Sequence, residues 1–298
     1  MSPSAQPMHA APEHAARAHP GPWQAAWRRL RRNRLAMAAL AFLILLVAVC
    51  VAGPLFSPYG PNDQDLKLKA TAPSAAHWLG TDSLGRDLAT RALHGGRVSL
   101  LVGIVATLVA SVIGVGYGLV AGLAGRRLDA FMMRLVDILY AFPFITFVII
   151  LVVVFGRELW LIFAAIGAVE WLTMARVVRG QVLALRNLEF VTAARASGAG
   201  GAHILVRHML PNVLGPVIIY ASLTVPGVML LEATLSFLGL GIQPPDASWG
   251  VLIREGADSM ETYPWMLAGP GLFFSATLLA LNLLGDALRD ALDPKSGG

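Results

Sequence analysis

Apolar residues fall in long runs near 35–56, 98–124, 136–155, 159–175, 213–236 and 265–288, separated by stretches rich in arginine, glycine and proline. Each run is close to or above the roughly 20 helical residues that cross a hydrocarbon slab of about 30 Å. Backbone amides inside such a slab must find partners within the chain, so six runs predict an all-α, polytopic membrane protein with six transmembrane helices. The fourth run is the shortest and holds Glu170; the third carries Asp137 and Pro143 toward its start. A proline there removes one backbone hydrogen bond and predicts a kink.

Finer patterning adds detail to three regions. In the second run, Gly103, Ala110, Gly114, Gly118 and Gly122 set small residues on one helical face, where two backbones can approach closely. A neighbouring span of the same chain is the first expectation for that face, a partner subunit the second. Residues 57–96 form a loop too long to be a simple connection. At its end Leu88, Leu93 and Val98, among Arg86, Asp87, Arg91 and Arg97, predict a short amphipathic helix lying at the interface and capping the bundle. His94, ahead of two glycines, reads as a turn residue. His77, Trp78 and Trp249 fall on outer segments, where both tryptophans are candidate contacts for a docked protein or else interfacial anchors.

The third region is EFVTAARASGAGGAHILVRHMLPN, residues 189–212. Asn187 is a plausible N-cap, Glu189 suits the first turn, and Ala193, Ala194 and Ala196 favour helix until Gly198 stops it. A second short helix is expected from about Ala202, carrying Ile204, Leu205, His208 and Met209 and ending before Pro211. Two short helices meeting at a glycine make a compact knob with a low surface that a partner's groove can enclose. The bland alternative is an ordinary interfacial hairpin.

Charge sets the orientation. With the N-terminus cytosolic, about sixteen of the Lys and Arg side chains flank the inner ends of the spans and about seven the outer. Both termini are then cytosolic, and the net charge of +5 is a topology signal; arginines scattered over such loops are no nucleic-acid footprint. With 56% apolar and 14% charged residues in 298, the composition excludes a soluble globular domain. Residues 1–34 divide into a disordered tail to about residue 22, where His9, His14 and His19 hold no metal geometry, and a basic juxtamembrane segment. Residues 35–56 are an uncleaved first span, 57–96 the extracytoplasmic loop, 97–288 a core of five spans with a cytosolic loop at 186–212, and 289–298 a cytosolic tail. Cys50, the single cysteine, excludes a disulfide framework and reads as a buried thiol.

Glu170 and Glu232 lie inside spans, where an ionised carboxylate must face the bundle interior, a water-filled path or a partner. Both are candidates for a translocation path, though pairing with Arg176 or Arg179 is the first expectation for Glu170. No G-x-x-x-x-G-K-S/T occurs, so no phosphate-cradling loop is present, and neither H-E-x-x-H nor G-x-S-x-G supports an enzyme. A proton-driven secondary transporter using the two acids is the main rival, but no internal repeat is evident.

The knob resembles a known motif. T-A-A-x-x-x-G, then nine residues, then H-x-L-P is similar to the EAA loop of bacterial ABC importer permeases, with Thr192 where that motif has Glu and His208 where it has Ile. HWLGTDSLGRDLATRALHGGRVSL, EATLSFLGLGIQPPDASWG and NLLGDALRDALDPK extend the resemblance to the second permease subunit of dipeptide/oligopeptide importers. The resemblance implies the type I importer fold in a bacterial inner membrane. It also implies a heterodimer with a homologous second permease, two ATP-binding subunits that hold ATP and Mg, and an extracytoplasmic substrate-binding protein. On that reading no cofactor is bound by this chain, and Glu189, Thr192, Ala193, Ala194, Gly198, His208, Leu210 and Pro211 form the coupling loop.

Overall fold

The computed structural model describes residues 22–156, 159–243 and 245–292. The expectations for residues 1–21, including the three tail histidines, and for 293–298 lie outside the described residues. Every extended element is helical: α1 (Pro22–Arg32), α2 (Arg34–Phe56), α3 (Leu88–Leu123), α4 (Arg126–Tyr140), α5 (Phe144–Phe155), α6 (Leu159–Leu185), α7 (Glu189–Ala196), α8 (Gly201–Ile204), α9 (Leu210–Phe237), α10 (Trp249–Asp258) and α11 (Trp265–Leu292), with a π-helical turn at Leu205–Met209.

Among the described residues, four helical stretches are long and apolar enough to cross a bilayer: α2, α3, the continuous Gly201–Phe237 rod and α11. The α4–α5 pair is a fifth if counted as one span; it bends by 77° at the break that contains Pro143, where the kink was expected. The expected fourth span lies in α6, a helix of 27 residues.

The small-residue face of α3 packs inside this chain. A methyl group on Gly114 would stand 2.6 Å from the Met174 side chain, on Gly118 2.6 Å from the Ala175 carbonyl and on Gly122 2.6 Å from Val182, all in α6. One on Gly103 would stand 2.7 Å from Met229 in α9. Only glycine allows backbones this close, and the small-residue stripe is thereby accounted for without a partner.

Two local rules explain the end where α2 runs into the 57–87 loop. Pro54 in α2 has no N–H to give the carbonyl one turn back, and Arg97 of α3 fills that place by donating from Nε to the Cys50 carbonyl at 2.7 Å. Asp87 caps α3, its carboxylate accepting from the Thr90 amide at 2.8 Å and the Thr90 hydroxyl at 2.7 Å. The helix therefore starts at Leu88, ten residues before the expected span, and absorbs the segment read as a separate interfacial helix; His94 sits within it, not in a turn. The reason is that the polar side chains of this first stretch are buried and paired, so hydropathy alone ends the span too early.

Those pairs make the cap. Arg91, with no exposed surface, donates to Asp82 at 2.5 Å and to Glu255 of α10 at 2.7 Å, while Arg86 holds Asp82 at 2.6 Å. The 57–87 loop is tied back by the Trp265 indole donating to the Thr81 carbonyl at 3.2 Å. At the opposite end, Trp23 of α1, Pro211 and Asn212 of α9, and Arg289 and Leu292 of α11 meet around one groove, so α1 and the start of α9 share a face of the molecule with the end of α11.

Candidate functional site

The 186–212 knob is held from within. Val191, Ile204 and Met209 are buried against Leu119 of α3, Met174, Val178 and Val182 of α6, and Val213 and Val217 of α9. Burial of such side chains stabilises by about 1.5–3 kcal/mol each and fixes the knob against three long helices. α7 ends as a Schellman motif: Gly198, at φ 83°, donates to the Arg195 carbonyl and Ala199 to the Ala194 carbonyl. Gly198 thus stops the helix as expected. Leu188 occupies the N-cap position instead of Asn187 and makes no side-chain cap bond.

The second expectation for the knob is corrected more substantially. No end precedes Pro211: α8, the π-turn and α9 form a single rod, and Pro211 directly follows the π-turn, where the regular ladder is already interrupted. Just ahead of it the Leu210 amide bonds back to the Leu205 carbonyl, five residues away, and inserts one π-turn. That turn also places His208 near His203 and Phe190, with ring centroids 5.8 and 6.1 Å away.

The outward face comprises Glu189, Thr192, Ala193, Gly198 and Pro211, all exposed; Ala194, His208 and Leu210 are half-buried. Leu188, Phe190 and Val206 add apolar surface at 46%, 39% and 61% exposure. Short side chains flanked by exposed apolar ones form a surface suited to enclosure by another protein.

Elsewhere the candidates separate. Trp78 is 79% exposed on the 57–87 loop. Trp249 is fully buried: its indole donates to the Ala92 carbonyl at 2.9 Å, its amide to Ser99 Oγ at 3.1 Å, and its ring packs edge-on to Phe274. Trp249 is therefore neither a docking contact nor an interfacial anchor; it is a core residue, and Gly96 is small because the ring lies where a side chain would be.

The two acids also differ. Glu232 has no exposed surface and accepts from Ser236 at 2.7 Å and Ser99 at 3.2 Å, which encloses it between α9 and α3, away from any open path in this conformation. Glu170 is half-buried and unpaired with either arginine expected for it. Arg176 donates to Asp137 at 2.8 Å and Arg179 to Asp129 at 2.5 Å, both acids belonging to α4. The Asp82–Arg86–Arg91–Glu255 cluster had no signal beyond the four-residue spacing of Asp82 and Arg86, because Glu255 arrives from a distant helix.

Comparison with known proteins agrees with this architecture. Residues 114–297 match the family described as binding-protein-dependent transport system inner membrane component, and residues 21–73 match the N-terminal transmembrane domain of oligopeptide transport permease C. The chain is 49% identical over 275 residues to the oligopeptide transport system permease protein OppC of Haemophilus influenzae, covering 92% of this chain and 88% of the relative. It is 50% identical to OppC of Escherichia coli, covering 92% and 91%, and 47% identical to the dipeptide transport system permease protein DppC of Bacillus subtilis, covering 91% and 85%. A chain of the MetNI methionine ABC transporter in an inward-facing conformation shares the fold, with a TM-score of 0.56 at 18% identity over 69% of this chain and 96% of that one. The helical fold, its apolar spans and these matches together establish that the chain belongs to the binding-protein-dependent transport system inner membrane components, as a multi-pass permease of the oligopeptide permease C type.

Proposed function

We propose that this chain is one of two membrane halves of an ATP-driven importer of di- or oligopeptides, as the names of its relatives suggest. ATP and Mg belong to two separate ATP-binding subunits, a homologous permease supplies the second half, and an extracytoplasmic binding protein delivers the cargo. The knob faces the cytosol with both termini, in keeping with the arginine distribution and with the shared face of α1, the end of α11 and the start of α9. Trp78 and the 57–87 loop then face the binding protein.

The observation that carries this reading is the continuity of the exposed knob with α9. Closure of the ATP-binding subunits on ATP displaces the knob, and the Gly201–Phe237 rod conveys that displacement to its far end, where Glu232 and Ser99 tie α9 to α3. Two packings of the bundle, inward- and outward-facing, are then exchanged by a ligand that binds elsewhere. The test is Ala193→Glu, which places a charge on an exposed surface without disturbing the core. Uptake and binding-protein-stimulated ATP hydrolysis should fall by roughly tenfold or more in the assembled importer, as for a contact residue of an interface; unchanged values refute the coupling role.

A further inference from the structure

Residues 28–34 hold five arginines, Arg28, Arg29, Arg31, Arg32 and Arg34, and from Pro22 onward the first acidic residue is Asp63. Along α1 the side chains sort into rows at four-residue spacing. Ala26 and Leu30 are buried with Ala36 of α2 and Ala287 and Ala291 of α11, and Arg29 donates to the Ala291 carbonyl at 3.4 Å. Trp23 and Trp27 follow beside that buried row at 49% and 44% exposure. Trp23 borders the groove that Pro211, Asn212 and Arg289 also line, which leaves Trp27 as the ring turned to the surroundings. Arg28, Arg31 and Arg32 occupy the rest of the circumference, all exposed. The Arg31 guanidinium lies over the Trp27 ring, 4.9 Å from its centre. Such stacking uses the face of the guanidinium and leaves its N–H edge for another acceptor.

The position of α1 is as telling as its composition. It ends at Arg32, and after the extended backbone of Asn33 (φ −82°, ψ 104°) the first span, α2, begins at Arg34. One residue therefore separates the arginine rows from a helix that crosses the bilayer, and Leu35 is already 67% exposed. Packing on α11 holds α1 at this level. A helix fixed there, with an exposed tryptophan beside the buried row and arginines over the remainder, matches the pattern of helices that lie in a headgroup layer.

We propose that α1 is a docking surface for anionic phospholipid headgroups of the leaflet in which α2 begins, with Trp27 entering the interface and Arg28, Arg31 and Arg32 binding headgroup phosphates. The occupant follows from charge and place together. A guanidinium matches a phosphate through two parallel N–H bonds. Zwitterionic lipids carry their own cation beside the phosphate, so lipids with a net negative charge gain most from an arginine cluster without acids. Each arginine near such a surface adds roughly fivefold to the attraction. The inference goes beyond the importer reading and is indifferent to the cargo.

The test uses the assembled importer in phosphatidylcholine nanodiscs, with a fluorophore on Gln24→Cys. Gln24 is exposed one turn before Arg28, and the native Cys50 is 1% exposed, so the label reads α1. One tenth of the lipid carries a nitroxide high on its acyl chain, on either phosphatidylglycerol or phosphatidylcholine. The phosphatidylglycerol probe should quench at least threefold more than the phosphatidylcholine probe, somewhat below the contribution of a single arginine. Combined Arg28→Gln, Arg31→Gln and Arg32→Gln should bring the ratio to about one, whereas lysine at the same three positions should keep most of it. Arg126→Gln with Arg127→Gln, exposed at the start of α4, should leave it unchanged. Equal quenching by the two probes in the unsubstituted chain overturns the proposal, and so does a preference that survives the three glutamines or is lost with Arg126 and Arg127. Quenching by neither probe overturns it too, because a protein subunit then covers α1.

Discussion

Gly118 and Gly116 stand two positions apart on α3 and answer to different constraints. A Cβ on Gly118 would press on the Ala175 carbonyl and the Val178 side chain, whereas one on Gly116 meets nothing within 4 Å. Gly118→Val should cost about 1–3 kcal/mol of stability through overpacking, and Gly116→Ala should be neutral or stabilise by about 0.4–1 kcal/mol. Denaturant unfolding of the two purified variants in mild detergent checks both signs. Arg91→Ala should cost about 1.5–3 kcal/mol in the same assay: Asp82 keeps Arg86, but a buried charge-assisted hydrogen bond and the closest partner of Glu255 are lost. At this scale the sequence showed backbone constraints well, since a glycine stripe and Gly198 have few other uses. It misread side chains whose partners come from afar. Trp249 looks like any tryptophan of an outer loop until Ala92 and Ser99 surround it, and Glu170 looks paired until α4 supplies Asp129 and Asp137 to its neighbours.

Among the elements, the π-turn at Leu205–Met209 offers the sharpest test of how the knob is attached. Deleting the exposed Val206 should let the ladder close as an ordinary α-helix while the knob keeps its azimuth on α9, because a π-turn holds one extra residue within a single turn. The variant should insert, assemble and keep stimulation of ATP hydrolysis by the loaded binding protein; lost stimulation would mean that the wide turn itself is needed for coupling. Nothing in the sequence announces this turn, because it is a one-residue slip in a segment that remains helical on either side. The break between α4 and α5 was legible, since Pro143 acts locally, but its 77° was not, because the angle is set by packing. The early start of α3 was hidden by its own paired charges, which a hydropathy pattern counts as the end of a span.

For the whole molecule, the expected orientation can be read with two cysteine variants, the native Cys50 being buried. Thr192→Cys and Trp78→Cys, both on exposed positions, should react with a membrane-impermeant maleimide from opposite sides, Trp78→Cys in intact cells and Thr192→Cys in inverted vesicles. Reaction of both from one side removes the proposed topology and the coupling role with it. The class of the fold was plain from the apolar runs. The number of spans was less so: four helices qualify outright, a bent pair makes a fifth, and the run at 159–175 proved to be part of a longer helix with charges in its second half.

The length of α3 has one more consequence. Its 36 residues span about 54 Å against a slab of about 30 Å, so this strut is longer than a perpendicular crossing needs, and it is gripped by Asp82 and Glu255 through Arg91 at its head and by α6 at its foot. The cap at the head of α3 and the α6 contacts near the knob thus share one uninterrupted helix. On the orientation proposed above, cargo arriving at the cap would be felt at the knob before any of it had moved.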